Sequence, residues 1–161
     1  EQLLKENATK AKVSENVAGR RVVHLACHGL VDQSYGNFFG ALALTPGPKA
    51  DTDPADDGFL TLAEIYELNL KGCELAILSA CETNFGPQQQ GEGVWALSRG
   101  FLVAGSRRVV ASQWNVSDKA GAQIGLNLCH YVSTAIKNGQ PVDSWKCQRS
   151  QRYTIPARSR V

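Results

Sequence analysis

The chain has 161 residues, 43% of them hydrophobic, and a formal net charge of +2. These values exclude wholesale disorder, leave room for one domain with a real core, and provide no electrostatic case for a nucleic-acid partner. No apolar run approaches the ~18 residues of a membrane span, and the opening Glu1-Gln2-Leu3-Leu4-Lys5 has no signal-peptide pattern. Five cysteines, an odd number with no CxxC pair, argue against a disulfide framework and for a reducing, cytoplasmic setting. Cys27, Cys73 and Cys129 lie in apolar stretches and read as core thiols. Methionine is absent, so the chain reads as a segment of a longer protein.

Residues 1–17 are polar and rich in helix formers. Val22 to Cys27 is apolar with β-branched residues and predicts a buried strand. A weaker strand follows around Gly40 to Thr45. Pro46 to Gly58, with three prolines, two glycines and four aspartates, predicts a loop. Those aspartates (Asp51, Asp53, Asp56 and Asp57) lack EF-hand spacing and read as a solvated loop rather than a calcium site. Thr61 to Leu68 predicts a short helix, with Thr61 and Glu64 as a capping box and Gly72 just beyond. Glu74 to Ala80 is the next strand. Gly91 to Val103 predicts a helix with Val94, Leu97, Phe101 and Leu102 on one side. Arg107 to Gln113 predicts a third core strand, and Ser117 to Lys137 a long helix capped by Ser117. This alternation is the pattern of an α/β domain with a mostly parallel sheet. From Gln140 onward the hydrophobic period is lost. Lys146, Arg149, Arg152, Arg158 and Arg160 follow with no acid after Asp143, which predicts a loose basic tail.

Two of the strands end in reactive residues. Val22-Val23-His24-Leu25-Ala26-Cys27 runs into His28-Gly29, and Leu75-Ala76-Ile77-Leu78-Ser79-Ala80 runs into Cys81. His28 precedes Cys81 by 53 residues, the interval of the caspase arrangement. In neighbouring parallel strands, both would emerge at the sheet edge where open α/β folds bind ligands. His28 is then a candidate base and Cys81 a candidate nucleophile. The backbone N–H groups of Gly29 and Cys81 are candidate oxyanion donors, since Gly29 has no Cβ to block a substrate carbonyl. The plain alternative makes His28 a loop-capping residue and Cys81 a buried thiol. A metal site from His24, Cys27 and His28 is disfavoured, because strand alternation turns Cys27 away from the two histidines.

The segment His24-Leu25-Ala26-Cys27-His28-Gly29 resembles the histidine motif of the CHAT family, caspase-like domains related to separase and often joined to tetratricopeptide repeats. Leu78-Ser79-Ala80-Cys81-Glu82-Thr83 resembles its cysteine motif. Gly91-Glu92-Gly93, Arg99-Gly100-Phe101, Ala104-Gly105 and the run from Val109 to Asp118 continue the likeness in order, over residues from about Leu3 to about Gly139. The resemblance implies a caspase-like three-layer α/β sandwich, a mostly parallel sheet flanked by helices, spanning residues 1–139 and followed by a divergent tail at 140–161. It also implies a cysteine endopeptidase with a His28–Cys81 dyad and no cofactor or metal, acting on a protein or peptide substrate, with no nucleic-acid or membrane partner.

In separase-like relatives an acidic residue after the tryptophan motif binds a basic substrate side chain, and the matching position here is Asp118. A carboxylate facing a guanidinium is a strong specificity device, although Asp118 also suits an N-terminal helix position. Glu82 and Glu92 are further substrate-side candidates. The simpler reading of Glu92 is a carboxylate opening the helix after the nucleophile, and Trp114 reads as a core or rim aromatic. The chain departs from the family at Asn84-Phe85, where a glycine is usual, at the polar Gln88-Gln89-Gln90, and at Cys27, where a small or hydroxyl residue is usual. The family's amino-terminal part and its closing aromatic segment are not recognisable. The competing reading is therefore a catalytically inactive caspase-like interaction module or a truncated fragment.

Overall fold

A computed structural model describes residues 2–30, 40–80, 88–89, 93–94, 96–112, 118–140 and 142. Its centre is a parallel sheet of three strands: β1 (Val22–Ala26), β5 (Leu75–Ser79) and β8 (Val109–Ala111), in the order β1-β5-β8. The central strand β5 is buried along Leu75, Ala76, Ile77 and Leu78, as its unbroken apolar run requires of a strand covered on both faces. In β1 only Val23 and Leu25 are buried, a period-2 alternation.

The two faces carry separate clusters. Val23, Leu25, Ala76 and Leu78 pack against α1 (Lys10–Val17), α2 (Leu62–Tyr66) and α3 (Leu97–Val103), with Ile65, Leu97 and Phe101 fully buried. Leu75 and Ile77 face the other way, onto Leu128 and Val132 of α4 (Asp118–Lys137). Helix, sheet and helix thus form the three layers expected of the sequence. Val142, beyond the predicted domain boundary, is completely buried in this second cluster, and its carbonyl accepts from Arg108 Nη1 at 3.1 Å. Apart from Gln140 and Val142, the tail lies outside the described residues.

Local chemistry sets the helix ends. Thr61 Oγ1 accepts from the Glu64 N–H while Glu64 Oε2 accepts from the Thr61 N–H, the capping box read from the sequence. Helix α4 closes with Gly139 at φ 64, which lets the Gln140 N–H reach the Ala135 carbonyl at 2.8 Å and the Gly139 N–H reach that of Ile136 at 3.1 Å. In the Pro46–Gly58 loop, Asp53 accepts from the Ala55 N–H, Asp56 from the Lys49 N–H and Asp57 from the Phe59 N–H, so three of its aspartates serve turns.

A second, antiparallel sheet orders as β2 (His28–Leu30), β3 (Ala41–Ala43) and β4 (Phe59–Thr61). The chain leaves the parallel sheet at Ala26 and enters this one at His28, with Cys27 as the joint. The predicted helix from Gly91 is shorter than expected. It begins at Leu97, and Gly93–Val94 (β7) instead pairs antiparallel with Gln88–Gln89 (β6). Two glycines within three residues and a β-branched Val94 oppose helix there. Leu102 is 47% exposed rather than on the buried side, because adjacent helical residues such as Phe101 and Leu102 cannot share one face. Ser117, the predicted cap of α4, lies outside the described residues.

Candidate active site at the strand ends

Strands β1 and β5 are parallel neighbours with Val22 opposite Leu75 and Ala26 opposite Ser79. Along the sequence His28 and Cys81 are each the second residue beyond that last pair. His28 is exposed and opens β2. Cys81 and Glu82 lie outside the described residues, as do Glu92 and Trp114. Helix α3 starts at Leu97, so Glu92 does not open it. Asp118 is the first residue of α4.

The position of Gly29 follows from the alternation of an antiparallel ladder. The Leu44 N–H donates to the Gly58 carbonyl at 2.7 Å, and the Leu62 N–H to the Gly40 carbonyl at 2.9 Å. Even-numbered residues of β3 therefore direct their backbone groups toward β4, and odd-numbered ones toward β2. With His28 opposite Ala43, Gly29 opposite Leu42 and Leu30 opposite Ala41, the hydrogen-bonded pairs are those of His28 and Leu30. Gly29 is the intervening residue, whose N–H and carbonyl turn away from β3.

The strand ends are tied by side chains that sequence reasoning missed. His24 Nε2 lies 2.7 Å from Ser79 Oγ, across from β1 to β5. The other ring nitrogen, Nδ1, lies 3.4 Å from Cys129 Sγ on α4. His24 is exposed, yet the atoms around it partly desolvate the imidazole and hold its pKa below the usual 6.5. Cys129 is exposed rather than a core thiol, and desolvation raises its pKa. The Ser112 hydroxyl donates to the Ala80 carbonyl, tying the end of β8 to the end of β5. Period-2 alternation places His24, Ile77 and Ser79 on one face. That was the available signal for the His24–Ser79 contact, whereas nothing local pointed to Cys129.

The remaining described thiols are unsuited to nucleophilic work. Cys73 is fully buried, 3.6 Å from Ser106 Oγ. Cys27 packs against the core, and desolvation pushes its pKa up to about 11. Among the described residues no three His, Cys, Asp or Glu side chains are grouped to hold a metal ion, and no helix is long and apolar enough to cross a membrane.

No curated relative matches the chain. The family model of the CHAT domain matches residues 1–144, nearly the whole length. The helix-flanked parallel sheet, the His28-Gly29 strand exit and this match together show that the chain belongs to the CHAT domain family.

Proposed function

We propose that this domain is a caspase-like cysteine endopeptidase in which Cys81 is the nucleophile and His28 the base. The observation that carries the reading is the parallel register of β1 and β5, with Ala26 opposite Ser79. It supports a common sheet edge for the two residues that follow two steps later. His28 would take the thiol proton, the resulting thiolate would attack the scissile carbonyl, and the C–N bond would break as His28 returns that proton to the leaving amine; water would then hydrolyse the acyl-enzyme to a carboxylic acid and restore the thiol. Oxyanion donors at such a site are worth about 3–4 kcal/mol each. Gly29, with its N–H turned out of the β3 ladder, suits this role, and the Cys81 N–H is the second donor proposed. Asp118 at the start of α4 would face a basic substrate side chain, with Glu82 and Glu92, which lie in the sequence between β5 and α3, adding negative charge. The substrate is accordingly a protein segment cleaved after arginine or lysine.

Hydrolysis of an arginine-containing fluorogenic peptide tests this. Cys81→Ala and His28→Ala should each lower kcat by roughly 1,000-fold or more. Asp118→Asn should mainly reduce the preference for arginine over a neutral residue. Equal rates for the wild type and Cys81→Ala would end the reading.

A further inference from the structure

We infer that His24 is a positioning residue for the His28–Cys81 pair, an assignment that rests on the peptidase reading. One imidazole bridges three elements: Nε2 reaches Ser79 on β5 at 2.7 Å, and Nδ1 reaches Cys129 on α4 at 3.4 Å, while the ring belongs to β1. Whichever tautomer is present, a neutral ring donates through one nitrogen and accepts through the other, which suits a hydroxyl on one side and a thiol on the other. His24 lies four residues before His28, and Ser79 two before Cys81. The next carbonyl after β5, that of Ala80, is held by the Ser112 hydroxyl. The backbone entering the nucleophile is thus gripped from both flanking strands.

Packing alone does not call for a histidine here. The neighbouring face is apolar, with Leu75 and Ile77 against Leu128 and Val132, and His24 sits at its exposed margin, where any β-former would satisfy the strand. What the imidazole adds is direction. A two-residue slip of β1 along β5 would keep every side chain on its own face and preserve apolar contact. A 2.7 Å bond between His24 and Ser79 does not survive such a slip. A side-chain tie at the opposite end, Arg21 Nε to Glu74 Oε1 at 2.7 Å just ahead of the two strands, is solvent-exposed, where ion pairs hold weakly. Helix α4 keeps close to the ring through Gly125, where a Cβ would lie 3.4 Å from both His24 Cε1 and Ser79 Oγ. An error of about 1 Å between reacting groups costs on the order of 100-fold in rate, so register at this edge matters to chemistry more than to stability.

The test uses the whole chain and follows iodoacetamide labelling of each cysteine by peptide mass spectrometry at neutral pH. Fully buried Cys73 serves in the same digest as the monitor of unfolding. The labelling rate of Cys81 is expected to fall at least fivefold in His28→Ala, His24→Phe and Ser79→Ala. His24→Gln, whose amide can still meet Ser79, should restore it to within twofold, with Cys73 unlabelled throughout. A wild-type rate in both His24→Phe and Ser79→Ala, alongside a fall in His28→Ala, would overturn the assignment and leave the dyad standing. An unchanged rate in His28→Ala would remove the dyad and this assignment with it. Labelling of Cys73 in both His24→Phe and Ser79→Ala would make the bridge a global structural element instead, and would likewise overturn it.

Discussion

At residue scale, the thiol of Cys27 shows how one position can neighbour a reactive residue and stay inert. It joins the parallel sheet to β2 and precedes His28, yet it packs on the core, and desolvation places its pKa at about 11. The thiolate is the reactive form. Alkylation of Cys27 in the folded chain should therefore accelerate about tenfold per pH unit from pH 8 to near 11, while the same cysteine in urea levels off near pH 9. Site-resolved labelling at several pH values checks this, and a plateau near pH 9 in the folded chain would contradict it. The sign for stability follows: above pH 9 the unfolded chain releases this proton and the folded chain retains it, so folding weakens as pH rises from 9 toward 11. At this scale the two strand ends were legible, because an apolar run that stops at His-Gly or Ala-Cys announces one, and β1 and β5 end at Ala26 and Ser79, just before those residues. The His24 bridge was only half legible. Ser79 shares its face by alternation, but Cys129 is 105 residues away from His24, and only tertiary packing brings them together.

At element scale, long periodic segments and capped helices were readable, since the signals for β1, β5, α2 and α4 are local. The three-residue strands β2 and β4 were not, because so short a segment has no period to read and exists only through its partner β3. The start of α3 was misread because the spacing of Val94 and Leu97 imitates a helix turn, while Gly91 and Gly93 undo it. The crossing of α3 over α2 has its own requirement. Gly100 sits where a Cβ would come within 2.8 Å of Ile65 Cγ2 and 2.9 Å of Leu62 Cδ1, both of them side chains with no space to retreat. Gly100→Ala gains up to about 1 kcal/mol of helix propensity but incurs about 1–3 kcal/mol of overpacking. The expected net is a loss of roughly 1 kcal/mol, read from the midpoint of urea unfolding. At Gly125 the added methyl meets only ordinary 3.4 Å contacts, so Gly125→Ala should match or exceed the wild type. The pair of variants separates a crowded glycine from a merely close one, and equal destabilisation by both would refute the distinction.

For the whole molecule, stability in acid is set on both sides of the sheet by different groups. On the side of α1 to α3, buried Lys10 Nζ lies 2.8 Å from both Asp57 Oδ1 and Glu64 Oε1, joining α1 to the Pro46–Gly58 loop and to α2. Desolvation pulls the Lys10 pKa down, but hydrogen bonds and charge from the two carboxylates raise it on balance. For Asp57 and Glu64, desolvation pushes upward and is outweighed by Lys10 and by backbone N–H donors, so both are held below their ordinary 3.8 and 4.5. A carboxylate with a depressed folded pKa contributes stability that is complete above its unfolded value and is lost as pH falls through the folded one. On the side of α4, His24 is likewise depressed below 6.5. The unfolded chain takes up that proton first, so stability begins to decline as pH drops below 6.5, well before the carboxylates respond. Urea midpoints measured against pH should therefore fall in two stages: a shallow one below 6.5 and a steeper one below about 4.5. His24→Phe should remove the first and leave the second. The double change Asp57→Asn and Glu64→Gln should flatten the second, and should also lower stability at neutral pH, because it leaves the buried Lys10 ammonium without its counter-charges. A single acid transition, unchanged in midpoint by either set of substitutions, would show that neither the α4-side imidazole nor the Lys10 cluster governs how this domain unfolds in acid.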